Sequence, residues 1–121
     1  MLMLARNPAA AYRRVELDAR IEASGSGDLT RICLEEAAGA LGSALAALDR
    51  GLPVPSQPLA RAQSILLWLA RSVAPAHPLG ASLKAFYGGL AGQVGASILQ
   101  ADYQALSEIQ RDIRDILAAA G

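Results

Sequence analysis

The chain has 121 residues, enough for one domain whose core needs no metal or disulfide to hold it. Eleven basic and eleven acidic side chains cancel, so no global field draws the molecule to nucleic acid or anionic membrane. A single cysteine, Cys33, excludes an internal disulfide and is ordinary for a reducing cytosol.

The N-terminus runs Met1 to Leu4, then Arg6, Asn7 and Pro8, an apolar run too short for a secretory signal. No uninterrupted apolar stretch approaches the roughly 20 residues of a membrane span. These features predict a soluble, cytoplasmic protein. Residues 1–23 read as a flexible N-terminal arm, with Tyr12, Val15, Leu17 and Ile21 spaced among Arg13, Arg14, Glu16 and Arg20. Ser24-Gly25-Ser26-Gly27 breaks the chain, and residues 24–121 read as a helical bundle domain.

No stretch alternates convincingly enough to be a strand. A first helix is predicted over residues 29–50, N-capped by Asp28, with Leu34, Leu41, Leu45 and Leu48 inward and Arg31, Glu35, Glu36 and Asp49 outward. Gly51 should end it, and Pro53 and Pro55 prevent its continuation. A second helix follows Ser56, tolerating Pro58 in its first turn, with Leu59, Ala62, Leu66, Leu69 and Val73 inward.

Pro75 and Pro78 bracket His77 in the next connection. A third helix, residues 79–101, places Leu79, Leu83, Phe86, Leu90 and Val94 on a core stripe. Its opposite face carries Ala81, Gly88, Gly92, Gly95 and Leu99, and Lys84 is the segment's single ionised side chain. Asp102 should cap a last helix, residues 103–119, with Leu106, Ile109, Ile113, Ile116 and Leu117 inward. Glu108, Arg111, Asp112, Arg114 and Asp115 face outward. Short connections between helices of similar length predict an all-α, antiparallel up-and-down four-helix bundle.

Catalytic constellations are weak. A histidine phosphotransfer bundle would present its histidine from mid-helix, whereas Ala76-His77-Pro78 is a proline-bracketed turn. One histidine and one cysteine cannot close a metal site, and Cys33 has no neighbouring histidine to generate a thiolate. Glu35 and Glu36 diverge around their helix, and Arg61 and Arg71 fall outside the inward stripe of the second helix. Gly25 and Gly27 lack the strand and the Lys-Ser/Thr pair of a phosphate loop. No cofactor and no enzymatic activity are expected.

The informative constellation is apolar. Ile65-Leu66-Leu67-Trp68-Leu69 covers every side of the second helix, and Trp68 lies about half a turn from the core stripe. One reading packs Trp68 under a loop or the arm; the other makes Ile65 and Trp68 part of an exposed patch for a partner. Glycines 88, 92 and 95 each cost about 0.8–1 kcal/mol relative to alanine, which close approach of another helix would offset. With the uncharged face of the third helix, these residues predict a groove on helices two and three.

Over about 100 residues these features resemble the flagellar secretion chaperone family, FliS. Ala11-Tyr12 matches its Ala-Tyr pair, Leu83, Phe86 and Tyr87 the start of its third helix, and Ala96-Ser97 the small pair closing that helix. Asp102 matches the acidic cap, Leu106, Ile109, Ile113 and Arg114 the last helix, and residues 28–48 the first. The chain departs from the pattern at Gly88-Gly89 and Gly92-Gln93, where acidic and arginine side chains are usual, at Ser97, and at Leu117.

The resemblance implies a cytoplasmic export chaperone. Such a protein binds the disordered C-terminal segment of flagellin, prevents premature polymerisation and delivers the subunit to the flagellar export apparatus. The groove read from the residues themselves then supplies the expected partner contacts, Ile65, Trp68, Leu83, Tyr87, Gly88, Gly92 and Gly95, and the resemblance adds Tyr12, which would occupy part of the groove in the empty chaperone. Two alternatives stand beside it: a helical adaptor with an obligate homodimer interface, and a small phosphorelay-type bundle.

Overall fold

The structure, a computed structural model, describes residues 26–120. Among the described residues are four helices and no strand: α1 (Ser26–Asp49), α2 (Ser56–Ser72), α3 (Gly80–Leu99) and α4 (Tyr103–Ala120). The all-α class expected from the hydrophobic periods is therefore observed. The chain divides into two compact units, Met1–Ile32 and Cys33–Gly121. The opening of α1 is what is described of the first unit. The second holds the rest of α1 and the three other helices as a helical bundle.

Helix ends follow local chemistry. Gly51 adopts a left-handed φ of 70°, a conformation that a Cβ disfavours. Around it the Gly51 amide donates to the Leu48 carbonyl at 3.0 Å and the Leu52 amide to Ala47 at 3.1 Å, a Schellman termination that satisfies two otherwise orphaned carbonyls. At α4 the Asp102 carboxylate accepts the Ala105 amide at 3.0 Å, the N-cap bond expected of it. Asp28 differs from expectation: α1 already runs at Ser26, so this carboxylate lies within the first turn, where it favours the helix dipole instead of capping it.

In the second unit the core takes Leu34, Leu41 and Leu45 from α1, Leu59, Leu66 and Leu69 from α2, Leu90 and Val94 from α3, and Leu106, Ile109 and Ile113 from α4. Each such side chain contributes roughly 1.5–3 kcal/mol on leaving water, so truncating fully buried Leu66 would damage the bundle directly. The predicted stripes extend too far at their ends. Leu48, Ile116 and Leu117 are half-buried, and Val73 is the half-buried residue that closes α2 in an extended conformation.

The third helix is rotated relative to its expected stripe. Leu79 precedes the helix and is 60% exposed, Leu83 and Phe86 are half-buried, and Tyr87, Ala91 and Ser97 join Leu90 and Val94 inside. A helix apolar on nearly every side gives its periodicity little to distinguish one rotation from the next.

Polar contacts tie the elements together. Arg61 donates to Glu36 Oε1 from Nη2 at 2.6 Å and from Nε at 3.1 Å, linking α2 to α1. Gln63 Nε2 donates to the Ala91 carbonyl of α3 at 3.4 Å. Gln110 Nε2 of α4 donates to the Ala38 carbonyl of α1 at 3.1 Å, and the Tyr103 hydroxyl to Asp49 at 3.2 Å. Among the described residues, no buried side-chain nitrogen or oxygen lacks a partner.

Candidate functional site

Two sides of α2 carry different contacts. Ile65 and Trp68 follow Arg61 by four and seven positions and so share its side of the helix, which meets α1 through Glu36. Gln63 lies on the other side and meets α3. Trp68 is 38% exposed and Ile65 half-buried, so the apolar patch exists, but it does not join the glycine flank in one groove. Leu67, 40% exposed and four positions after Gln63, is an exposed apolar residue on the α3 side.

The predicted contacts on α3 separate in the same way. Tyr87 is a core residue, only 6% exposed, and burial pushes its phenol pKa up; in this structure it is no surface contact. Its ring lies 5.7 Å from that of Phe86, tilted by 57°. Leu83 is half-buried. A Cβ at Gly88 or Gly92 would meet nothing within 4 Å, so none of the described helices approaches closely there. At Gly95 the side chain of Gln63 already occupies the space, and this glycine serves packing between α2 and α3. Tyr12 lies outside the described residues.

Among the described residues a shallow, open hollow lies elsewhere, between α3 and α4. A trough of about 360 Å³ is floored by Leu90, Ile109 and half-buried Phe86, walled by Ala85, Gly89 and Gln93, and edged by Glu108 and Asp112. Gln93 continues it into a second hollow of about 610 Å³ beside Ala96, Ser97 and Tyr103. Gly89 is exposed, and a Cβ there would meet open space. Glu108 and Asp112, one turn apart, place both carboxylates on the same edge. Lys84, Arg111 and Arg114 are exposed but line neither hollow.

The groups weighed for chemistry have structural partners. His77 sits in the turn before α3, where its Nδ1 accepts the Leu79 amide at 2.9 Å. Cys33 is buried, and burial, reinforced by the nearby Glu36 carboxylate, raises its thiol pKa, the opposite of an activated nucleophile. Among the described residues, no group of three or more His, Cys, Asp or Glu side chains is placed to hold a metal ion.

Glu108, Asp112 and Gly89 were not singled out from sequence as contacts. The available signal was the i, i+4 carboxylate pair bordering the inward stripe of the last helix. Compared with known proteins, the chain matches no family model, no curated protein and no solved structure.

Proposed function

We propose that this chain is a cytoplasmic export chaperone of the FliS type, a binding protein without a catalytic centre. Its guest would be the disordered C-terminal segment of flagellin, kept from premature polymerisation and passed to the flagellar export apparatus. The observation that carries the reading is the solvent side of α3. Ala81, Ala85, Gly89, Gly92, Ala96 and Leu99 are all exposed there, Lys84 is the one ionised side chain of the helix, and the α3–α4 trough runs beside them. A flank of that length with a single charge is the kind of surface a partner helix covers.

The antiparallel up-and-down order belongs to this reading. The pairing of Ala38 with Gln110 and of Asp49 with Tyr103 supports opposite directions for α1 and α4, since one number rises as the other falls. No described helix is long and apolar enough to cross a membrane, in keeping with a chaperone that meets its guest before export.

The test is calorimetric titration of the purified chain with the C-terminal flagellin segment encoded in the same genome. Saturable one-to-one binding supports the proposal, and absence of heat at every temperature tried rejects it.

A further inference from the structure

We propose that the α3–α4 trough takes an amphipathic helical segment carrying a lysine or arginine beside its apolar anchors, the cation being held by Glu108 and Asp112. This rests on the reading of the chain as a holder of an extended guest, and specifies where on the bundle a guest segment sits and what it must carry.

Two observations combine. The floor of the trough is closed by buried Leu90 and Ile109, half-buried Phe86 supplies the apolar surface a guest would meet, and the wall is lowered at Gly89, where a side chain would otherwise stand. A helix laid there meets backbone and small side chains, the geometry that allows close axial approach. The edge is anionic. Glu108 accepts a neutral amide, from Gln104 at 3.0 Å, and among the described residues neither Glu108 nor Asp112 forms an ion pair. The nearby cations, Lys84, Arg111 and Arg114, do not line the trough.

An apolar guest without charge would leave both carboxylates partly desolvated and unpaired, which is unfavourable. An anionic guest would add repulsion. A guest cation aligned with the edge satisfies them and fixes the register of the bound helix. A second copy of this chain fits less well. The exposed flank of α3 would bring one cation, Lys84, to meet the two carboxylates of the acidic edge.

The experiment uses fluorescein-labelled 18-residue peptides of Leu and Ala with either Lys or Glu on the polar face, titrated by anisotropy at low and high salt. The whole chain is compared with Gly89→Leu and with the double variant Glu108→Gln/Asp112→Asn. The Lys peptide is expected to bind the unaltered chain at least about fivefold more tightly than the Glu peptide at low salt. Gly89→Leu, with open space for its side chain, should keep the thermal melt and lose about tenfold in affinity. The neutralised edge should abolish the preference and its salt dependence.

Equal binding of the two peptides, binding indifferent to Gly89→Leu, or no binding of either peptide overturns the proposal. The flagellin segment is titrated in parallel. If it binds equally well to Gly89→Leu, the trough assignment fails and the chaperone reading stands. If it does not bind while the Lys peptide does so in a Gly89-dependent way, flagellin is the wrong guest and the trough assignment stands.

Discussion

Gln63 lies across Gly95: the α2 side chain fills the space a Cβ on α3 would claim, while its amide donates to Ala91 one turn earlier. Three glycines of one helix therefore differ in kind, since Gly88 and Gly92 face open space. Gly88→Ala and Gly92→Ala should each stabilise the fold by about 0.5–1 kcal/mol, through helix propensity alone. At Gly95 the same gain is opposed by displacement of Gln63 and loss of its long hydrogen bond, together about 0.5–1.5 kcal/mol. Urea titrations of the three variants should rank Gly95→Ala last; equal gains would show that Gln63 does not hold this position.

The contact between Arg61 and Glu36 is a half-buried charge pair with two hydrogen bonds to one oxygen, its side chains 35% and 29% exposed. That exposure screens the attraction, so the coupling should be about 1 kcal/mol or less. A double-mutant cycle with Arg61→Met and Glu36→Gln measures it, and molar salt should shrink it. No coupling at low salt would mean that the two residues do not hold α1 and α2 together.

Tyr87 and Trp68 were grouped as partner contacts by sequence, and their burial sets them apart. Tyr87→Ala should cost about 3–5 kcal/mol, as removal of a core aromatic does. Trp68→Ala should cost only roughly 1–2 kcal/mol, because more than a third of its surface already meets water. The denaturation midpoints give the comparison, and equal losses would contradict the placement of Tyr87.

Burial raises the pKa of both the Cys33 thiol and the Tyr87 phenol. A raised folded-state value means that the native state holds its proton more tightly than the unfolded chain. The corresponding stability is full below the unfolded thiol value of about 8.5 and is lost as pH climbs through the folded values. Chemical-denaturation midpoints should accordingly fall on the alkaline side. Ellman's reagent at pH 8 should label Cys33 slowly in buffer and at once in guanidinium; rapid native labelling would contradict its burial.

Gly51 and Asp102 give the simplest test of the connections. Gly51→Ala should cost about 1 kcal/mol for placing a Cβ at positive φ. Asp102→Ala should cost roughly the same for losing the bond to the Ala105 amide. Melting curves read both, and an unchanged transition would disprove either cap.

These terminators were legible because their chemistry is local: glycine after a helix, a carboxylate before one. The inward stripe of α4 was legible through Ile113 because charged residues on the other side mark it. The rotation of α3 was not, since a helix without polar contrast leaves Tyr87 and Phe86 equally eligible for the core. The trough was invisible for a further reason. Its existence depends on how far apart α3 and α4 settle, which no single-helix pattern encodes. Arg61 could be placed beside Ile65 and Trp68 by spacing, but only Glu36 across the gap shows which neighbour that side meets.

The chain holds one tryptophan, and it stands partly outside the bundle on the α1 side of α2. The molecule thus carries its own optical reporter for that flank, and Trp68 does not line the hollow where α3 meets α4. Emission from Trp68 should shift to the blue when a long guest wraps around the helices, and hold its colour when only a short peptide is seated.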